Sequence, residues 1–127
     1  MIRGVRGAIT VSADQPEEVL QETRRLVLEM ARENKIEPDH VASVIISTTT
    51  DISSAFPAKA VRTIEEWNFV PVMCTHEMDV PGSMPLCIRV MMHVNTELSQ
   101  KEIHHVYLNE ATKLRPDLTA KSQVSST

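Results

Sequence analysis

Aromatic residues are scarce in this sequence: one Trp, one Tyr and two Phe among 127 residues. Its core must therefore be built from Val, Ile, Leu and Met. Cysteine is nearly as rare. Two thiols without paired metal-type spacing exclude a disulfide framework and a zinc ribbon, and fit reduced thiols in a cytosol. No apolar run approaches the ~20 residues that span a bilayer, and the N-terminus lacks the hydrophobic stretch of a secretory leader. The expectation is a cytoplasmic protein with no membrane partner. An excess of positive charge is missing too. Thirteen Lys and Arg against seventeen Asp and Glu leave a net charge of -4, which argues against nucleic acid as the main partner. What is present, 42% apolar and 24% charged residues, is the composition of an ordinary globular domain with one two-layered core.

The central stretch of the chain is 86–94. Leu86, Ile88, Val90, Met92 and Val94 alternate with Cys87, Arg89, Met91 and His93, the period of a strand. The second face has few groups that welcome water, so it is expected to be covered as well. Arg89 then needs an anion, supplied by the fold or by a ligand. Residues 2–11 also read as a strand, with Gly4, Arg6 and Ala8 on one face, so Arg6 stands between small neighbours. Asp14, Pro16 and Glu17 carry the signals of a helix start. Val19, Leu20, Thr23, Leu26, Val27, Met30 and Ala31 continue at helical spacing to about Asn34. Residues 41–47 read as a buried strand and 47–54 as a polar loop. A short helix begins at Pro57, with Ser54 as its expected cap. Pro71 marks the 70–74 strand as a sheet edge. Ser99 and Glu102 form a capping-box pattern, and 106–114 returns to strand. The fold class expected is α+β: a mixed sheet of about five strands, one long amphipathic helix and one short helix. Residues 1–118 form a single domain, and 119–127 are polar and expected to be a mobile tail. One helix covers one sheet face, so self-association is the economical way to bury the other.

Three kinds of chemistry can be weighed. Cys74 and His76 share a strand face, but no further ligand pair completes a tetrahedral metal set, so no metal is expected. Cys74 as a hydrolytic nucleophile lacks an orienting third group and a glycine elbow. What remains is a set of cations on separate elements, Arg6, Lys59, Arg62, Arg89 and Arg115. Arginines on rigid strands suit a two-pronged grip on carboxylates. Glu77 and Tyr107 can complete such a site.

These residues lie in six blocks: 3–8, 56–62, 77–80, 87–92, 105–108 and 114–118. In that order, and without large gaps, they resemble the AroH-class chorismate mutases. The resemblance implies a homotrimer of bacterial chorismate mutase-like subunits, a pseudo-α/β-barrel assembly with three sites at subunit clefts. It implies rearrangement of chorismate to prephenate on the route to phenylalanine and tyrosine, with no metal or cofactor. By the same resemblance Arg6 grips a substrate carboxylate with Tyr107 nearby, and Arg89 reaches the ether oxygen and a carboxylate. Cys74 and Glu77 meet the ring hydroxyl. Phe56, Ala58, Val72 and Leu114 form walls, while Lys59, Arg62 and Arg115 stand at the mouth or in the tail. Met73 departs from the family pattern, which has a small, often hydroxyl-bearing residue there. Two other readings fit interfacial arginines: a trimeric imine deaminase-like enzyme, and a non-catalytic binder of a dicarboxylate metabolite.

Overall fold

In the computed structural model, which describes residues 1–114, the strands β1 (Ile2–Thr10) and β4 (Cys87–Asn95) form the antiparallel centre of one sheet. β2 (Val41–Thr48) pairs antiparallel with the other side of β4, and β3 (Val72–His76) lies parallel to β2 at one edge. β5 (Val106–Leu108) runs parallel to β1 at the opposite edge, giving the order β3-β2-β4-β1-β5. Helix α1 (Pro16–Asn34) and the short helix α2 (Pro57–Arg62) complete the regular elements. The fold expected from the sequence is the fold observed. No helix among the described residues is long and apolar enough to cross a membrane.

The core lies between α1 and one sheet face. Val19, Leu26, Val27 and Met30 of α1 are fully buried, as are Val5 and Ile9 of β1 and Ile88 and Met92 of β4. Each such side chain contributes about 1.5–3 kcal/mol through burial. α1 can sit this close because Gly7 faces it. A Cβ on Gly7 would stand 2.4 Å from Met30 Sδ and 3.1 Å from Leu26 Cδ1. Among the described residues, no α-helix lies over the other sheet face. Ile45 there is 43% exposed and Met73 72% exposed.

Several local expectations are corrected. Neither Asp14 nor Glu17 caps α1, whose N-cap is Gln15 without a side-chain bond. Asp14 instead accepts from the backbone N–H groups of Ser53 (3.0 Å) and Ser54 (3.1 Å), tying down the loop before α2. Glu18, one residue past the expected acid, accepts from Ser12. α2 opens at Pro57 as expected, but its N-cap is Phe56, not Ser54. β3 starts and ends two residues later than the expected 70–74. The 106–114 segment is strand only to Leu108. Asn109, at φ 57°, turns the chain into a 3-10 helix, Asn109–Lys113, since asparagine tolerates the left-handed region. The capping box at Ser99 and Glu102 is present and opens a single 3-10 turn.

Candidate active site

The sheet register brings the expected residues together. Arg89 on β4 lies opposite Ala8 on β1 and opposite Ser47 on β2. Ala8 in turn is paired with Tyr107 on β5. The small side chains on either side of Arg89 leave space for its guanidinium on the helix-free face. Arg6 stands two residues before Ala8, on the same face, and its backbone N–H donates to His105 Nδ1 (3.0 Å). Beyond β3 the chain is held by the Glu77 N–H donating to Thr48 O (2.8 Å). This places Glu77 Oε2 3.4 Å from Arg89 Nε. Leu114 is brought in by the 3-10 turn, which is anchored where Asn109 Nδ2 donates to Thr10 O (2.8 Å) and the Glu110 N–H donates to Thr10 Oγ1 (3.0 Å).

The result is a cavity of about 230 Å³ lined by Arg6, Ala8, Ser47, Glu77, Arg89, Tyr107 and Leu114, among others. Two arginines against one carboxylate leave its titratable lining with an excess positive charge. The expectation that the Arg89 face is covered does not hold within one chain: the side chains of Arg89 and Glu77 are 52% and 33% exposed. Water screening keeps such a pair weak, so Glu77 does not consume the capacity of Arg89 to hold another anion. Beneath the cavity Ala8, Cys87 and Ala111 are buried together, with Tyr107 and Leu114 packed on them. Burial pushes the Cys87 thiol up from its usual range, against the opposing pull of the Arg89 guanidinium. It is a small packing group there, kept protonated.

The other expected residues form a second cluster. Cys74 Sγ accepts from the Ala58 N–H at 3.2 Å, so the first turn of α2 sits on β3. Burial raises the Cys74 pKa, while the Ala58 N–H and the Arg62 guanidinium pull it down. A neutral thiol that accepts a bond and can donate one follows at ordinary pH. Cys74 and Val72 pack against the helix-covered core. Phe56 is 75% exposed, and Lys59, Arg62 and Met73 are exposed as well. None of these residues lines the cavity around Arg89. Arg115 lies outside the described residues, as does the tail. Ser47 and Ile45 line the cavity without having been singled out in the sequence. Strand parity across from Arg89 was the only signal for them, and it requires the register.

A mixed sheet with one covered face, and on the other face a cavity with two arginines and one carboxylate, defines a small α+β protein equipped to hold an anionic metabolite. The chain belongs to the chorismate mutase type I family, whose profile matches residues 2–118. It is 50% identical over 119 residues to the chorismate mutase AroH of Bacillus subtilis (strain 168), covering 94% of each chain. To the chorismate mutase AroH of Thermus thermophilus it is 49% identical over 119 residues, 93% of this chain and 97% of that one. Among solved structures it resembles the chorismate mutase from Clostridium thermocellum Cth-682. That likeness has a TM-score of 0.85 and 48% identity, over 87% of this chain and 98% of the other.

Proposed function

We infer that this chain is a chorismate mutase, converting chorismate to prephenate in aromatic amino-acid biosynthesis. Family membership over nearly the whole chain supports the reaction. The observation that carries the mechanism is the pairing of Arg89 with small neighbours at a cavity that also holds Arg6 and Glu77.

The rearrangement is pericyclic. The breaking C–O bond gathers negative charge on its oxygen before the new C–C bond is complete. A fixed guanidinium aimed at that oxygen stabilises the transition state more than the ground state, and that raises kcat. One such donor is worth about 3–4 kcal/mol. A millionfold acceleration needs about 8 kcal/mol, so Arg89 acts with others. Arg6 holds a substrate carboxylate, with Tyr107 beside it, and the apolar walls keep the flexible substrate in its compact chair-like form. Glu77 and Cys74 receive and orient the ring hydroxyl. No nucleophile, metal or cofactor has a part in this scheme.

The working unit in this proposal is a cytoplasmic homotrimer. Its support is that the two clusters lie apart in one chain. Cys74 and Ala58 belong to the covered side of the sheet, whereas Arg89, Arg6 and Glu77 belong to the open side. A cleft where α2 and β3 of one copy meet the Arg89 cavity of the next would unite them. It would also cover Met73 and Ile45. Residues 1–118 act as the domain, with the wall residues Phe56, Ala58, Val72 and Leu114 lining the cleft.

The test is the loss of chorismate absorbance with purified, chelator-treated protein. Saturable conversion to prephenate is expected. A folded trimer that leaves chorismate unchanged would overturn the assignment. Release of ammonia from imines would then favour a deaminase, and stoichiometric binding without turnover a metabolite binder.

A further inference from the structure

The polar loop after β2 contains a clamp that the catalytic scheme does not use. Leu86, immediately before β4, has φ 53°. This left-handed conformation is one that side chains with a Cβ adopt at a steric cost, and for which glycine or asparagine is the usual choice. Both polar groups of Leu86 are held there. Its N–H donates to Asp51 Oδ2 (3.0 Å), and its carbonyl accepts from the Val11 N–H (2.9 Å). The other Asp51 oxygen, Oδ1, accepts from the Thr49 hydroxyl at 2.5 Å. That hydroxyl accepts in turn from the Cys87 N–H (3.0 Å), and the Thr49 N–H donates to Cys87 O (3.0 Å). Two residues further on is Arg89. One residue before Thr49, Thr48 O receives the Glu77 N–H. Asp51 therefore sits where the ends of β2 and β3 and the start of β4 are joined.

A strained backbone persists only when its surroundings over-determine it, and such strain gathers at functional sites. We propose that Asp51 is a positioning residue: its carboxylate holds Leu86 left-handed, so that β4 begins in the register that aims Arg89 into the cavity beside Glu77. Asp51 acts through Leu86 and Cys87 and does not touch substrate. Without the carboxylate, the Leu86 N–H loses its acceptor and the Thr49 hydroxyl its orienting partner. Leu86 then relaxes toward negative φ, and the first residues of β4 shift with it. The function assigned to Asp51 rests on the chorismate mutase reading, whereas its hold on the backbone does not.

The strain supplies its own test. Glycine adopts positive φ without steric cost, so Leu86→Gly should remove the need for Asp51. In Asp51→Ala, kcat is expected to fall about tenfold or more, with KM changed less than about threefold, since small misplacements of a catalytic group cost up to about a hundredfold. In the double variant Asp51→Ala with Leu86→Gly, kcat should return to within about threefold of wild type, although the thermal midpoint stays low because Leu86 packing is lost. Wild-type kcat in a folded Asp51→Ala trimer overturns the proposal. So does a lost kcat that glycine fails to restore, since Asp51 would then act by its charge. If Asp51→Ala does not fold, Asp51→Asn keeps one acceptor, and its partial loss of kcat must likewise be rescued by Leu86→Gly. Amide exchange at Cys87 and Arg89 needs no turnover and separates the clamp from the enzymatic assignment. It should quicken in Asp51→Ala and slow again in the double variant, and unchanged exchange refutes the clamp whatever the chain converts.

Discussion

Glu77 Oε2 meets Arg89 Nε at 3.4 Å across strands that are not neighbours, since β2 lies between β3 and β4. Glu77 stands one residue past β3, its N–H tied to Thr48 O of β2, and both side chains stay partly open to water. An exposed pair of this kind adds about 0–1 kcal/mol to stability. Its value lies in orienting the guanidinium. Arg89→Lys keeps the charge and loses the planar fork. We expect kcat to fall about 10²–10³-fold with a smaller change in KM. Initial rates over a range of chorismate concentrations measure both, and an unchanged kcat would remove Arg89 from the mechanism.

Arg6 should behave differently. It stands on β1 beside Gly4 and Ala8, away from the bond that breaks in the proposed scheme, and holds a carboxylate that is charged throughout the reaction. In that scheme its contribution falls mainly on binding, with the smaller share on the barrier. Arg6→Ala should therefore raise KM, by about 10–100-fold for a lost charge-assisted bond, and leave kcat nearly intact. Saturation at the wild-type substrate concentration would refute this role.

The strand bearing Arg89 was legible because its alternation is strict, and every second residue from Ile88 to Val94 is buried. α1 was legible for the same reason at helical period. The caps were not. Asp14 finds its donors at Ser53 and Ser54, and no adjacent residue signals a bond 39 or 40 positions away. Arg6, Glu77, Arg89, Tyr107 and Leu114, which line one cavity, all lie in the six blocks that carried the resemblance, whereas Cys74 lies in none of them. Their division was hidden, because Cys74 and Arg89 acquire opposite sheet faces only once β2 fixes the register between them. The turn at Asn109 escaped for a local reason: a single left-handed residue ends the strand, in a segment whose alternation is weak.

Asn34 ends α1 and is buried, and it joins the helix to the segment before β5. Its Nδ2 donates to Met30 O and to His104 O, both at 2.9 Å, while Oδ1 accepts from the His104 N–H at 2.7 Å. Asn34→Ala leaves the N–H and the carbonyl of His104 without these partners at a part-buried position. A loss of about 2–4 kcal/mol is expected. Urea unfolding at fixed protomer concentration measures it, because association also contributes to stability in an oligomer. A change under about 1 kcal/mol would mean that water replaces the side chain.

Glu18 accepts from the Ser12 N–H at 2.7 Å and from the Ser12 hydroxyl at 2.9 Å, closing the turn between β1 and α1. The Ser12 N–H, then its hydroxyl, hold the carboxyl below its ordinary value of 4.5. With the folded pKa lowered, the contribution of Glu18 to stability is fully present above the unfolded value and is lost as pH falls through the folded one. Glu18→Ala should therefore lower the thermal midpoint at pH 7. The gap from wild type should narrow below the ordinary carboxylate range, where the wild-type group is protonated as well. Scans of both proteins at neutral and acid pH read the gap directly. A gap of equal size at both would show that Ser12 is held by packing, with no part played by the charge on Glu18.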